Sequence, residues 1–196
     1  MQEKPTAASP TGGTRRAPRA DAQRNRERVL AAAQAAFAAE GISVPLDEIA
    51  RRAGVGPGTV YRHFPTKEAL FHAAITDNVE RMIDYARTLT TAEDAGAAFF
   101  ELLDRMVTEG GVKRDLAEAL GGHEAVGTTV PTRELVTEID VLLRRAQDRG
   151  AVRTDIGTDD LMRILKGALL AAHTTDADEK QRSRAFAVVF DGLRAR

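Results

Sequence analysis

The stretch LDEIARRAGVGPGTVYRHF, residues 46–64, decides the fold. Ala50, then Gly54 four positions on and Val60 six beyond that, fall at the spacing of a helix-turn-helix, with Ile49 and Val55 apolar between them. The reason is geometric. A small side chain at Ala50 lets a second helix approach the first, Gly54 supplies a left-handed turn, and Ile49, Val55 and Val60 fill the wedge. Pro57 at a first helical position, preceded by Gly56, opens the second helix, which is expected from Pro57 to about His63 with Thr59, Tyr61, Arg62 and His63 on its outer face. A helix of this kind can lie in the major groove, where its N-terminal part meets base edges and its flanks meet phosphates.

Upstream, Val29, Leu30, Ala33, Ala36 and Phe37 recur at spacings of three and four, which predicts a helix from Asp21 that stops at Gly41. Ser43 is the expected cap of the next helix, with Val44 or Pro45 at its first position and Asp47 and Glu48 in the first turn, near the positive end of the helix dipole. Arg51 and Arg52 on that helix read as salt-bridged or solvated. Residues 1–20 mix Pro, Thr, Gly, Ala and Arg without period and read as a flexible basic tail. Downstream, Thr66 opens a long helix to about Thr88 that carries Leu70, Phe71, Ala74, Ile75, Val79, Met82, Ile83 and Ala86. A helix bearing Phe99, Leu102, Leu103, Met106 and Val107 is expected to stop at Gly110-Gly111, followed by a short segment from Val112 to Leu120. Further helices run from Pro131 to Gly150, around Leu161 to Ala172, and around Ala185 to Leu193. No strand alternation and no internal repeat is present, so the expected class is all-α.

The 196 residues are 43% hydrophobic and 29% charged, enough apolar content for a sizeable core. With no cysteine, a disulfide scaffold, a thiolate nucleophile and a cysteine zinc site are excluded, and a cytoplasmic location is the expectation. The net charge of -1 hides an asymmetry: residues 1–75 hold eleven Lys or Arg against seven Asp or Glu, and the remainder is acidic. A basic head on an acidic body suits a phosphate-binding module joined to something else. An enzyme is not expected. His123 with Glu124 and His173 with Asp176 lack a third ligand at metal spacing, and GVGPG follows a helix and has no Lys-Ser/Thr of a phosphate loop. No cofactor is implied.

From roughly Arg24 to Ala74, the segments VLAAAQAAFAAEG and LDEIARRAGVGPGTVYRHFPTKEALF, above all TVYRHFPTKEAL, resemble the DNA-binding domain of the TetR family of bacterial transcriptional regulators. The resemblance implies an all-helical chain of about nine helices. A helix-turn-helix domain over 21–66 would be followed by a ligand-binding and dimerisation domain over 67–196. Carried over by position, it implies phosphate contacts by Tyr61 and His63, base-edge contacts by Gly58 and Thr59, and a backbone grip by Lys67 at the start of the fourth helix. Arg24 would reach an adjacent phosphate or the minor groove. Arg62 can span two acceptors of guanine in the major groove, or pair with a phosphate. Gly56 and Pro57 depart from the family pattern, which often has Ser and a polar residue there, so one side-chain cap and one base reader are missing.

The same resemblance implies a homodimer through the last two helices, a palindromic operator and a small-molecule effector. The adjacent Phe99 and Phe100 point to different sides of one helix, which suits the wall of a cavity. Leu103, Met106, His123, Met162, Leu165 and Leu169 are the other expected lining residues. The expected function is a ligand-responsive repressor. A transcriptional activator of the same fold, or a dimeric helical adaptor without an effector, are the alternatives.

Overall fold

The computed structural model describes residues 17–119, 130–174 and 178–195, and among them eight helices and no strand. They are α1 (Ala17–Glu40), α2 (Leu46–Ala53), α3 (Pro57–His63), α4 (Lys67–Leu89), α5 (Ala95–Ala119), α6 (Val130–Asp148), α7 (Thr158–Thr174) and α8 (Glu179–Leu193). The all-helical class is therefore established. Among the described residues no helix is long and apolar enough to cross a membrane.

Three local expectations need correction. First, α1 begins at Ala17, four residues before Asp21. Second, Ser43 does not cap α2: its hydroxyl donates back to the Glu40 carbonyl at 3.2 Å, and Pro45 takes the cap position. The Pro45 backbone is extended, and its carbonyl receives the amides of Glu48 and Ile49 at 3.1 and 3.2 Å, so α2 starts only at Leu46. Third, Gly110-Gly111 does not stop α5, which continues as one helix to Ala119, so Val112 to Ala119 is no separate element. A glycine inside a helix costs about 1 kcal/mol relative to alanine, which a helix packed against α4 and α6 can absorb. Leu120 and His123 lie outside the described residues.

The punctuation of the head otherwise follows the sequence. Gly41 adopts φ 73° and closes α1, and Gly54 adopts φ 64° between α2 and α3. There the Val55 amide returns to the Ala50 carbonyl at 3.1 Å, the bond that a left-handed cap makes available. The Thr66 hydroxyl accepts the Ala69 amide at 3.1 Å and starts α4. Asp178 and Gln181 form a reciprocal capping box at the start of α8.

Helix α4 is the spine, packed on α6, α1 and α5. Phe71 on α4 meets Phe37 on α1 edge to face at 5.6 Å, and both rings are fully buried. Beside them, Gln34 of α1 donates to the Ala74 carbonyl at 2.9 Å and to Asp77 at 3.0 Å, and its own carbonyl accepts from Arg81. At its far end α4 is held by α6. Arg87 pairs with Glu134 and Glu138, and the Arg145 guanidinium donates to the Leu89 and Ala92 carbonyls at 3.4 and 2.8 Å.

The chain returns on itself at the C-terminal end. Arg153 donates its amide to Leu193 at 3.0 Å and Ala195 donates to Ala151 at 3.2 Å, a short antiparallel bridge between the α6–α7 loop and the end of α8. That loop sits so close to the first turn of α5 that a β-carbon on Gly96 would come 2.6 Å from the Ala151 β-carbon.

Candidate nucleic-acid interface

Helix α3 rests on α2 and α1 through its one buried side chain, Val60, in the wedge expected between Ala50 and Gly54. Val60 and Ala50 are fully buried, and Val55 is partly so. With Val60 inward, the opposite face of α3 is left to solvent. Tyr61 is 48% exposed and Arg62 is exposed, while Thr59 and His63 are half-buried. Arg62 engages no partner among the described residues. A β-carbon on Gly56 or Gly58 would meet open space, so packing does not require glycine at either position, and the backbone there is open to close approach.

The carboxylate of Asp47 beside the Tyr61 phenol pushes its pKa up, so the ring at the head of the exposed face is a neutral hydrogen-bond donor. Lys67 is half-buried, and its ammonium donates to the Ser43 carbonyl at 3.2 Å, which fixes the start of α4 against the α1–α2 turn. One ammonium carries three donors, so this contact leaves capacity for another. Arg24 pairs with Asp21 on the surface of α1. Two arginines of α1 escaped the sequence reading. Arg26 lies over the Phe64 ring at 5.8 Å and ties α1 to the end of α3. Arg28 lies within 3.8 Å of where a β-carbon on Gly54 would stand, against the turn itself. Its spacing of four from Arg24 was the available signal.

Arg51 and Arg52 are salt-bridged, as their spacing from Glu48 suggests. Arg51 donates to both Glu48 oxygens at 2.7 Å, and Arg52 joins Glu48 at 2.7 Å to Glu40 at 2.5 Å. These hydrogen bonds hold the Glu48 carboxyl at a pKa of about 2, against 4.5 for an ordinary glutamate. Because the folded value is the lower one, the stabilisation is complete above pH 4.5 and is lost as pH falls towards 2. The expected result is a carboxyl titrating near pH 2 in a carbon-detected NMR series, with the Arg52 side-chain signals moving in step. A Glu48 midpoint near 4.5 would show that the cluster does not persist in solution.

The expected lining residues divide by burial. Phe99, Leu103 and Leu165 belong to the core, with Phe100, Met106 and Met162 half-buried at its edge. Phe100 stands 5.3 Å from Phe99 and 6.2 Å from Phe190 of α8, with the Arg194 guanidinium over its ring at 4.3 Å. Leu169 is half-buried on α7.

Comparison with known proteins agrees with this geometry at both ends of the chain. Residues 29–74 match the model of bacterial regulatory proteins of the tetR family, and residues 94–195 match the C-terminal domain of SbtR-like transcriptional regulators. A TetR transcription regulatory protein from Mycobacterium vanbaalenii is 42% identical, with a TM-score of 0.72 over 91% of this chain and 99% of that one. The TetR transcriptional regulator SCO0520 from Streptomyces coelicolor is 32% identical, with a TM-score of 0.72 over 87% and 98%. The HTH-type transcriptional regulator UidR of Escherichia coli K12 is 28% identical over 89% of this chain and 92% of its own. A recognition helix buried only at Val60, a glycine-turned α2–α3 junction and a helical body that matches over residues 94–195 leave one conclusion: the chain belongs to the TetR family of DNA-binding transcriptional regulators.

Proposed function

We propose that the protein is a ligand-responsive repressor that binds a palindromic operator as a homodimer and leaves it when a small molecule binds the body. The observation that carries the dimer is on the last two helices. Val188 is 71% exposed on α8 and Ile164 is 42% exposed on α7, with Gly167, Ala171, Ala185 and Ala187 exposed around them. Large aliphatic side chains among small ones suit burial against a second copy of the same helix pair.

In this reading, the unit over 21–66 contacts DNA and the unit over 67–196 dimerises and senses. Gly58, Thr59 and Arg62 would face base edges, while Tyr61, His63, Lys67 and Arg24 would meet phosphates. Phe99, Phe100, Leu103, Met106, Met162, Leu165 and Leu169 would surround the effector, with His123 a further candidate. Successive major grooves lie ~34 Å apart on one face of the duplex. An effector that tilts α4 moves the two α3 helices off that spacing, and a tenfold loss of affinity needs about 1.4 kcal/mol of differential binding.

Selection of bound sequences from a random DNA pool, followed by light scattering of the complex, tests the reading. A palindromic site holding one or two dimers is the expected result, and no enrichment would refute it. On that site, Tyr61→Ala is expected to weaken binding to all sequences alike. Arg62→Ala is expected to cost about 1–3 kcal/mol at one base position. Competition titrations against single-base variants separate the two, and a uniform loss for Arg62→Ala would make it a phosphate contact.

A further inference from the structure

Among the described residues, one polar side chain is buried in the core, Asn78 of α4, at 8% exposure. Its amide has no hydrogen-bond partner among the described residues. This is unusual, because a buried amide left unpaired costs roughly 1–3 kcal/mol and native interiors leave few such groups. Nor does Asn78 sit at the edge of the buried stripe. Helical spacing puts it at the centre of that stripe with Phe71, Ile75 and Met82, all of them buried.

The register of the helices indicates what lies level with Asn78. Two turns further along the same side of α4, Tyr85 donates to Glu101 and stacks under Arg105, both on α5. Since α4 and α5 run antiparallel across a short turn, counting two turns back from Tyr85 and two turns on from Glu101 brings Asn78 to the level of Thr108. The next turn of α5 holds Gly110-Gly111. An unpaired amide thus comes level with the turn of α5 that leads into two successive glycines. The same stretch is where the helix continues through two residues that weaken it.

We propose that Asn78 is the polar anchor of an internal site for a neutral, largely apolar molecule carrying one carbonyl or hydroxyl group. The inference rests on the effector reading above and names the class of molecule. Ligand sites of this kind are mostly apolar, with a few placed polar groups that fix orientation. Neutrality follows from the surroundings: no charged side chain is buried among the described residues, so a carboxylate or ammonium would enter without a counter-charge. An amide both donates and accepts, so it can meet a ketone, ester or lactone oxygen, or an alcohol. The position also explains how binding would reach the DNA head. Asn78 adjoins Asp77, which with Arg81 holds Gln34 of α1, so a ligand that turns this part of α4 acts directly on the clasp between body and head.

The test uses the full-length protein, the selected operator and three probes of similar size: benzylacetone, butylbenzene and phenylbutyrate. Benzylacetone is expected to raise the thermal midpoint of the wild-type protein more than butylbenzene does, and phenylbutyrate to leave it unchanged. Asn78→Leu is expected to melt at or above the wild-type midpoint, to keep operator affinity, and to bind benzylacetone at least tenfold more weakly. A lower midpoint for Asn78→Leu would make the amide a structural group and overturn the proposal. Equal binding of the ketone by both proteins, or no preference for it over the hydrocarbon and the carboxylate, would overturn it too. Operator binding distinguishes the two levels: if the wild-type protein selects no DNA the regulator reading fails, and if it selects DNA but shows no ketone preference only the anchor fails.

Discussion

Val188→Glu is expected to convert the proposed homodimer into monomers and to reduce operator affinity by at least ~10³-fold, down to the level of non-specific DNA. The size of the effect follows from symmetry. One α3 helix reads only a few base pairs, so tight binding requires two heads held at fixed separation, and a charge buried at a helix-pair interface removes the second head. Because Val188 is largely exposed in the single chain, the substitution should leave the thermal midpoint of the monomer nearly unchanged. Light scattering and fluorescence anisotropy on the same sample measure both consequences. Val141→Glu is the control. Val141 is an exposed aliphatic residue on α6 and not on the α7–α8 pair, and its substitution should affect neither assembly nor affinity. A Val188→Glu protein that remains dimeric would place the interface elsewhere.

Phe71→Ala should destabilise the fold by about 3–5 kcal/mol, a large part of the 5–15 kcal/mol that holds a domain together. The ring is fully buried and meets Phe37 edge to face, so its loss opens a cavity where α1 and α4 join. Phe71→Leu retains most of the volume and should cost much less. Urea midpoints for the two variants give the comparison. A loss for Phe71→Ala below about 1 kcal/mol would mean that α1 and α4 close over the gap. The DNA head would then be held to the spine by the Gln34 hydrogen bonds more than by packing.

These two positions also illustrate what could be read from the sequence. Much of what is encoded within a turn or two was legible. Gly41 and Gly54 take positive φ where the pattern breaks, Pro57 starts α3, Thr66 caps α4, and the apolar spacing of Phe71 and its neighbours gives the buried face of α4. Local signals misled where a residue had two uses. The Ser43 hydroxyl goes backwards to Glu40 instead of forwards to α2, and Gly110-Gly111, a stop signal in isolation, is carried by the packing of a long helix. The Asp178 capping box was present in the sequence and was overlooked. Contacts between distant segments were not legible at all. Nothing near Gln34 announces Asp77 and Arg81, and nothing near Arg145 announces the Leu89 carbonyl, because a polar side chain on a helix surface carries no mark of which helix will face it. The outward face of α3 was legible for the same reason that Asn78 was not. One residue stands out by its exposure on a short helix whose motif is specific, the other only by lacking a partner in an interior the sequence does not draw.

The near-contact of Gly96 with Ala151 has a consequence for how this chain can vary. One methyl group fits between the start of α5 and the α6–α7 loop, and at present it belongs to Ala151. It could belong to residue 96 instead, provided that residue 151 gave it up. The two positions share a single vacancy, so added bulk at either one alone collides, while an exchange of the pair keeps the loop seated and the end of α8 bridged to it. Variation there should proceed by compensated steps, and a library that randomises one position without the other will recover almost nothing new.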